Sequence, residues 1–276
     1  MFRQRVSKLA ISLFLLILSL SFVYPLYYMF INSLKTKEDY YINQFNLPPE
    51  GRWAFSNYAA IITQFKILSL FKNTAVIVIA SVVAITVLSI LSSYAIAKLR
   101  FKGRAAIFIA IIATIFLPAQ VTIIPMYVMF SRLNLVNNFL SVILSYIAQF
   151  LPQTIMLMVA FFRGIPQELL EASKIDGCTF FKVIRNVVIP IGAPAIIINI
   201  IFNFIFMWND LFVPMILLQR VNVRTVMVAL ATLVQRYAAD PTFQMTGLFL
   251  STIPALLIYI CLQRYIVKGI TVGAIK

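Results

Sequence analysis

An all-α, polytopic membrane fold is predicted for this 276-residue chain by three features. Hydrophobic residues make up 62% and charged residues only 11%, whereas soluble domains carry about a quarter of their residues as charges. The apolar residues gather into six runs, each able to supply the ~20 residues that a helix needs to cross a hydrocarbon core of about 30 Å. Polar residues and most of the 23 Lys and Arg fall between the runs. A single transmembrane domain, 1–276, is expected, and its spans are read as helices because a helix pairs its own backbone groups in lipid.

The first run, Leu9 to Ile31, follows Arg3, Arg5 and Lys8. A secretory leader opens in the same way, but this run is too long and continues through Pro25 without a small-residue cleavage pattern, so it is expected to stay as a helix. The next segment, Asn32 to Lys72, holds Pro48-Pro49-Glu50-Gly51, then Trp53, Phe55 and Tyr58, then an apolar stretch from Ala59 to Phe65. It suits a short interfacial helix with aromatic rings at headgroup level. The second run is Thr74 to Ala97 and the third is Ala105 to Tyr127, with Pro118 and Pro125 inside it. The fourth, Leu140 to Phe162, contains Pro152; the fifth, Ile191 to Leu218, contains Pro194 and Pro214; the sixth, Met245 to Tyr265, contains Pro254. Each proline removes a backbone donor and pushes on the preceding turn. Two readings fit them: bends around a pathway that changes shape, or the ordinary abundance of proline in membrane helices.

Orientation follows from the cations, since Lys and Arg concentrate in short cytoplasmic loops. Cytoplasmic termini place Arg3, Arg5, Lys8, the cluster Lys98 to Arg104, Arg163, Lys174, Lys182, Arg185, Arg264, Lys268 and Lys276 inside. An even number of spans agrees. The net charge of +15 is explained by this topology and by anionic headgroups. No long basic stripe interleaved with stacking aromatics accompanies it, so no nucleic acid is expected as a partner. Cys178 and Cys261 both fall on the inner side and are expected to stay reduced. The absence of histidine removes most zinc and haem arrangements, and no metal is expected.

Few polar side chains interrupt the runs. Asn199, Asn203 and Asp210 share one helical face at spacings of four and seven, and Asp210 follows Trp208-Asn209. An intramembrane carboxylate costs about 3 kcal/mol unless paired or wetted. These residues either bond neighbouring helices or line a substrate path, and the sequence leaves both open. Gln120, Thr122, Gln149 and Gln153 are read in the same two ways.

Residues 163–190 form the main hydrophilic interruption, with three of the eight acidic residues, Glu168, Glu171 and Asp176. Pro166 suits a helix start, Glu168 favours the positive end of its dipole, and Gly177 supplies a left-handed stop. A helix over Pro166 to Asp176 is expected, with Ile165, Leu169 and Ala172 as its apolar face and small Ala172 and Ser173 allowing close approach. After the turn, Thr179 is placed to cap a second short helix whose apolar face is Phe180, Phe181, Ile184 and Val188, with Pro190 opening the next span. Such an elbow is either an ordinary interfacial loop or a docking element.

The segment Glu171-Ala-Ser, three further residues ending at Asp176, Gly177, nine residues, then Val187-Val-Ile-Pro190 resembles the EAA signature of permeases in binding-protein-dependent ABC importers. That signature is usually Glu-Ala-Ala, three residues, Gly, nine residues, Ile-x-Leu-Pro; here Ser173, Val187 and Ile189 are small or apolar exchanges. Ser33-Leu-Lys-Thr36, Ser93 through Arg104, Ile124-Pro-Met-Tyr127, Trp208-Asn-Asp210 and the tail Val267 to Lys276 are similar to the smaller, six-span, maltose-type permease of carbohydrate importers. The likeness runs from about Pro25 to the C-terminus.

This resemblance implies the type I importer permease fold, with 163–190 as a coupling elbow seated in a groove of an ATPase. It implies coupling roles for Glu168, Glu171, Ala172, Ser173, Asp176, Gly177 and Pro190. A sugar or related solute is the implied cargo, with a second permease, two cytoplasmic ATPases and an extracytoplasmic solute-binding protein as partners beside membrane lipid. ATP and Mg would sit on the ATPases, and no cofactor on this chain, which lacks a GxxxxGK[ST] phosphate loop. The tail is either a solvated end or, as the resemblance implies, an arm reaching between the ATPases through Gly269, Gly273 and Lys276. Among competing classes, a membrane enzyme lacks a catalytic constellation here, and a secondary transporter would more naturally carry inverted repeats or several intramembrane charges. A non-sugar solute remains the alternative cargo.

Overall fold

The computed structural model describes residues 2–236 and 240–274, with side chains drawn between 8 and 263 except at 174 and 236. The described residues are helical and irregular, without a strand. Five helices are long and apolar enough to cross a membrane, or six if one bent pair counts as a single span. The chain divides into two compact units, Met1–Ser69 with Ala229–Ile253, and Leu70–Val228 with Pro254–Lys276.

The first unit contains α1 (Phe2–Ser33), α2 (Lys37–Ile42) and α3 (Ser56–Gln64), so the expected interfacial stretch is a helix that starts slightly earlier than read. Leu9 to Val23 of α1 expose their side chains, as a helix solvated by lipid or by another subunit does. Where α1 ends, Ser33-Leu-Lys-Thr36 becomes a polar knot. Asn57 Nδ2 donates to the carbonyls of Ser33 and Lys35, both at 2.9 Å, and the Ser33 hydroxyl lies 2.6 Å from that of Tyr58. Thr246 Oγ1 donates to the Ser33 carbonyl at 3.2 Å. Lys35 is only 1% exposed, and its Nζ donates to the Asn43 carbonyl at 2.9 Å. Burial pushes the Lys35 ammonium below the usual lysine range while Asp39 pulls the other way. Thr36 caps α2 by accepting from the Asp39 amide at 3.2 Å. This knot was recognised in the sequence only as a likeness; a lysine buried on a carbonyl leaves no mark in hydropathy.

The second unit is built on α4 (Ile67–Lys98), α7 (Phe139–Arg163) and α10 (Ile189–Trp208). Its main core packs Ile77, Val78, Ile85, Val142, Tyr146, Phe204, Met207 and Trp208 together. The third run is not one straight helix. α5 (Arg104–Ala113) continues through a 3-10 turn, Thr114–Phe116, and α6 (Ala119–Arg132) departs at 98°. Pro118 has no N–H to continue the ladder, so the chain turns at Leu117, whose ψ of 107 is extended. Pro125 and Pro152, by contrast, stay inside α6 and α7.

The fifth run also differs from its expected form. It ends at Trp208, and Asn209 to Leu211 separate it from a short α11 (Phe212–Leu217). At its other end, α9 (Phe180–Val183) passes through a π turn, Ile184–Val188, into α10 without interruption. Pro190 therefore does not open a span. The π turn, in which the Ile189 amide reaches back to the Ile184 carbonyl, widens the helix just where the Pro190 ring would press on the preceding turn. The remaining helices are α8 (Gln167–Ile175), α12 (Val226–Arg236) and α13 (Pro241–Ala274). Gly269 and Gly273 lie in helical backbone of α13, whereas Lys276 lies outside the described residues.

Candidate functional site: the elbow and a polar cavity

α8 is too short to persist alone in water, and its stability comes from one buried face. That face is Ile165, Leu170 and Ser173, which turn inward, instead of the expected Ile165, Leu169 and Ala172. Leu170 joins Ile90, Tyr94, Met158, Phe162, Val183, Ile184 and Val188 in a single apolar cluster. The helix ends in a Schellman turn. The Cys178 amide bonds the Ser173 carbonyl at 3.0 Å, the Asp176 amide bonds that of Ala172 at 3.0 Å, and Gly177 holds φ at 76°.

The outward face is then fixed by subtraction. Glu168, Leu169, Glu171, Ala172, Asp176 and Gly177 are exposed, and Ile175 is 87% exposed. On the second arm, Thr179 stands at the helix start without a side-chain cap. Ile184 and Val188 are buried as expected, but Phe180 and Phe181 are exposed, Phe181 by 71%. Phe180 touches Tyr94 at 5.5 Å between ring centroids and Phe181 stacks edge-on against it at 5.4 Å. The turn thus presents apolar side chains edged by three carboxylates, of which Glu168 also acts on the Lys98 ammonium. Such a surface can seat in a groove with an apolar floor and cationic or amide-bearing walls. Of the seven residues expected for coupling, five share this outward face, Ser173 supports it from beneath, and Pro190 lies beyond the π turn.

A second feature is a cavity of about 720 Å³ where α5 breaks from α6 against α7. Its lining mixes Ser92, Thr114, Thr122, Ser145, Gln149 and Gln153 with a larger apolar share that includes the prolines 118 and 152, and carries no charge. Pro152 cannot supply the amide that would bond the Ala148 carbonyl, and Ala148 lines the same cavity. Amides, hydroxyls and a freed carbonyl together can donate to and accept from an uncharged, hydroxyl-rich solute. Thr122, Gln149 and Gln153 were singled out in the sequence; Gln120 is not among the lining residues, and Ser92 and Ser145 gave no signal there, because serine is common in membrane helices as a backbone-bonding residue.

The five residues for which the sequence leaves both helix bonding and a path open are held as follows. Asn199 bonds the Ala195 carbonyl of its own helix at 2.9 Å, and Asn203 ties α10 to α7 by donating to Thr154 Oγ1 at 3.1 Å. Trp208 is buried between Phe204 and Phe71, with ring centroids at 5.5 and 6.0 Å. Asn209 bonds the Ile205 carbonyl at 2.8 Å and is exposed. Asp210 accepts from the buried Tyr146 hydroxyl at 3.0 Å and, in a turn just before α11, from the Phe212 amide at 2.9 Å. None of the five is among the cavity's lining residues. Asp210→Ala should cost about 1–3 kcal/mol by leaving the buried Tyr146 hydroxyl only a long, 3.5 Å approach to the Met207 carbonyl. Thermal unfolding in detergent checks this against Asp210→Asn, which keeps an acceptor; equal stability of the Ala variant and the parent would refute it.

Comparison with known proteins places this geometry in a family. Residues 85–272 match the model described as "Binding-protein-dependent transport system inner membrane component". The chain is 30% identical over 275 residues to the osmoprotective compounds uptake permease protein GgtD of Synechocystis sp., covering 98% of this chain and 92% of that protein. It is 27% identical over 273 residues to the arabinooligosaccharides transport system permease protein AraQ of Bacillus subtilis, covering 98% and 96%. Its fold resembles a chain of a bacterial ABC transporter that imports the acidic polysaccharide alginate, with a TM-score of 0.81 at 23% identity over 95% of this chain and 96% of that one. A match across most of the chain, on a helical membrane fold with the elbow inside the matched region, means that this protein belongs to the family of inner membrane components of binding-protein-dependent transport systems.

Proposed function

We propose that this chain pairs with a second permease to form the membrane pathway of an ATP-driven importer for a sugar or a related hydroxyl-rich solute. The observation that carries this reading is the elbow, where a left-handed Gly177 fixes an exposed face of Leu169, Ala172, Ile175 and Phe181 edged by Glu168, Glu171 and Asp176. Two cytoplasmic ATPases take that face, hold ATP and Mg, and carry out the hydrolysis. An extracytoplasmic binding protein delivers the solute, and both termini lie in the cytoplasm of a bacterial or archaeal cell. The name of a relative that transports arabinooligosaccharides supports hydroxyl-rich cargo, as does an uncharged cavity lined by Gln149 and Gln153.

Purification of the intact complex in mild detergent tests the assembly: a soluble ATPase should co-purify with the chain. Recovery of the chain with no ATPase, under conditions where it stays folded, would sink the reading. Within the pathway, Gln149→Leu together with Gln153→Leu should lower solute uptake by about tenfold or more, the worth of one or two lost hydrogen bonds. Uptake assays in vesicles check it, with ATPase co-purification as the control for assembly.

A further inference from the structure

The elbow is fastened to a helix remote from it in sequence, and the other end of that helix is fastened to a loop. At the elbow end of α4, Lys98 Nζ donates to the Arg163 carbonyl at 3.1 Å and also to the Ile165 carbonyl, on both sides of the turn at Gly164 that launches α8. The Arg163 carbonyl lies at the negative end of the α7 dipole, where a cation is favoured. One turn earlier, buried Tyr94 packs its ring on Phe180 of the second arm. The last turns of α4 therefore hold both arms, the first by a charged clamp and the second by an aromatic contact.

At the far end of α4, Asn73 Nδ2 donates to the carbonyls of Asn222 and Arg224 at 3.0 and 3.1 Å. Buried Thr74 accepts from the Val226 amide at 2.9 Å. The same loop is tied to the α6–α7 connection, where Asn137 Oδ1 accepts from the Arg220 amide at 2.8 Å and the Asn137 amide donates to the Leu217 carbonyl at 2.8 Å. Between Asn73 and Lys98 the helix is continuous and carries no proline, and spans on the order of 40 Å at about 1.5 Å per residue. A straight helix pinned at both ends, with its middle packed in the core through Ile77, Val78, Val82 and Ile85, moves as a body, because packed cores shift between discrete arrangements instead of deforming.

We propose that α4 is a strut linking the elbow to the loop 218–226, with Lys98 and Asn73 as the positioning residues at its two ends. A displacement of the elbow then reaches the far loop through α4 as well as along α7 and α10. Lys98 and Asn73 act on the same movement, so their effects are not independent.

Hydrogen exchange is read on the purified full chain, and ATPase stimulation on the complete complex with its ATPases and binding protein. Lys98→Met keeps the apolar stem and removes the donors; Asn73→Leu removes the other clamp at similar volume. Hydrogen exchange read at both ends should respond reciprocally: Lys98→Met speeds exchange of the Val226 amide by about fivefold or more, and Asn73→Leu does the same for amides of 165–178. Changes confined to the substituted end in both variants would overturn the strut. For stimulation of ATPase activity by the loaded binding protein, the double variant should fall no further than the worse single one, and Lys98→Arg, which still donates to both carbonyls, should recover most of it. Effects that multiply would mark two independent clamps and overturn the proposal. The stimulation measurement rests on the proposed ATPase docking and the exchange measurement does not, so failure of the docking reading leaves the exchange result standing. If Lys98→Met does not accumulate, Asn73→Leu reads the same link from the other end.

Discussion

Gly177→Val should abolish the solute-stimulated ATPase activity of the proposed importer complex while the chain still inserts into the membrane. Gly177 holds φ at 76°, and a Cβ built there meets nothing within 4 Å, so the penalty lies in the backbone alone. A left-handed residue with a side chain costs about 1–2 kcal/mol, and β-branching adds to it. α8 has only nine residues and one buried face to absorb that cost. The Schellman bond from the Cys178 amide to the Ser173 carbonyl is then lost, and the outward face turns away from its orientation. Asn tolerates this conformation better than other residues, so Gly177→Asn should keep most of the stimulation. Stimulation and uptake measured in reconstituted vesicles decide it: normal coupling in the Val variant would remove Gly177 from the mechanism.

The second large effect is expected at Gly192. A Cβ added there would stand 2.6 Å from Cε1 of Phe162, a ring that is 0% exposed and enclosed by the cluster under the elbow. The ring has no space to yield, so Gly192→Val should cost about 1–3 kcal/mol or more of overpacking at the seam of α7 and α10. Loss of thermal stability and of complex yield are the readouts. Phe162→Leu should partly restore the Gly192→Val variant by making room, although alone it opens a void. If the double variant is as unstable as Gly192→Val, the clash lies elsewhere and this account of the seam fails.

Hydropathy was enough to read the number of apolar segments, because the cost of unpaired backbone in lipid forces each run into a helix whatever its neighbours are. The boundaries of the first, second, fourth and sixth runs fall within or beside α1, α4, α7 and α13. Proline was legible as a residue but its consequence was not. Pro118 breaks its helix by 98° whereas Pro125 and Pro152 do not, since each outcome depends on whether surrounding helices leave room for a turn or hold the chain straight. Pro190 was read as the start of a span because a π turn has no sequence signature of its own.

At the elbow, the turn at Gly177 and the identity of the outward carboxylates came from sequence. The buried face was misassigned by one residue, Leu170 for Leu169, and periodicity over nine residues is too short a run to fix a helix's rotation. Lys98 was counted as a topological charge, which it also is. Its bonds to the carbonyls of Arg163 and Ile165 join residues more than 60 positions apart, and no local pattern encodes such a pair.

What the sequence by itself determined is therefore the class and the local grammar: a helical membrane protein, where its chain turns, and the signature of its elbow. These follow from solvation and backbone sterics, which act on neighbouring residues. Only the tertiary structure decided which residues face outward at the elbow, that Asp210 accepts from Tyr146 and from the first amide of α11, and that an uncharged cavity opens beside the helix break. Those outcomes depend on which helices meet, and helix contacts in a membrane are set by shape and a few hydrogen bonds, since lipid and leucine offer a helix nearly the same apolar surroundings.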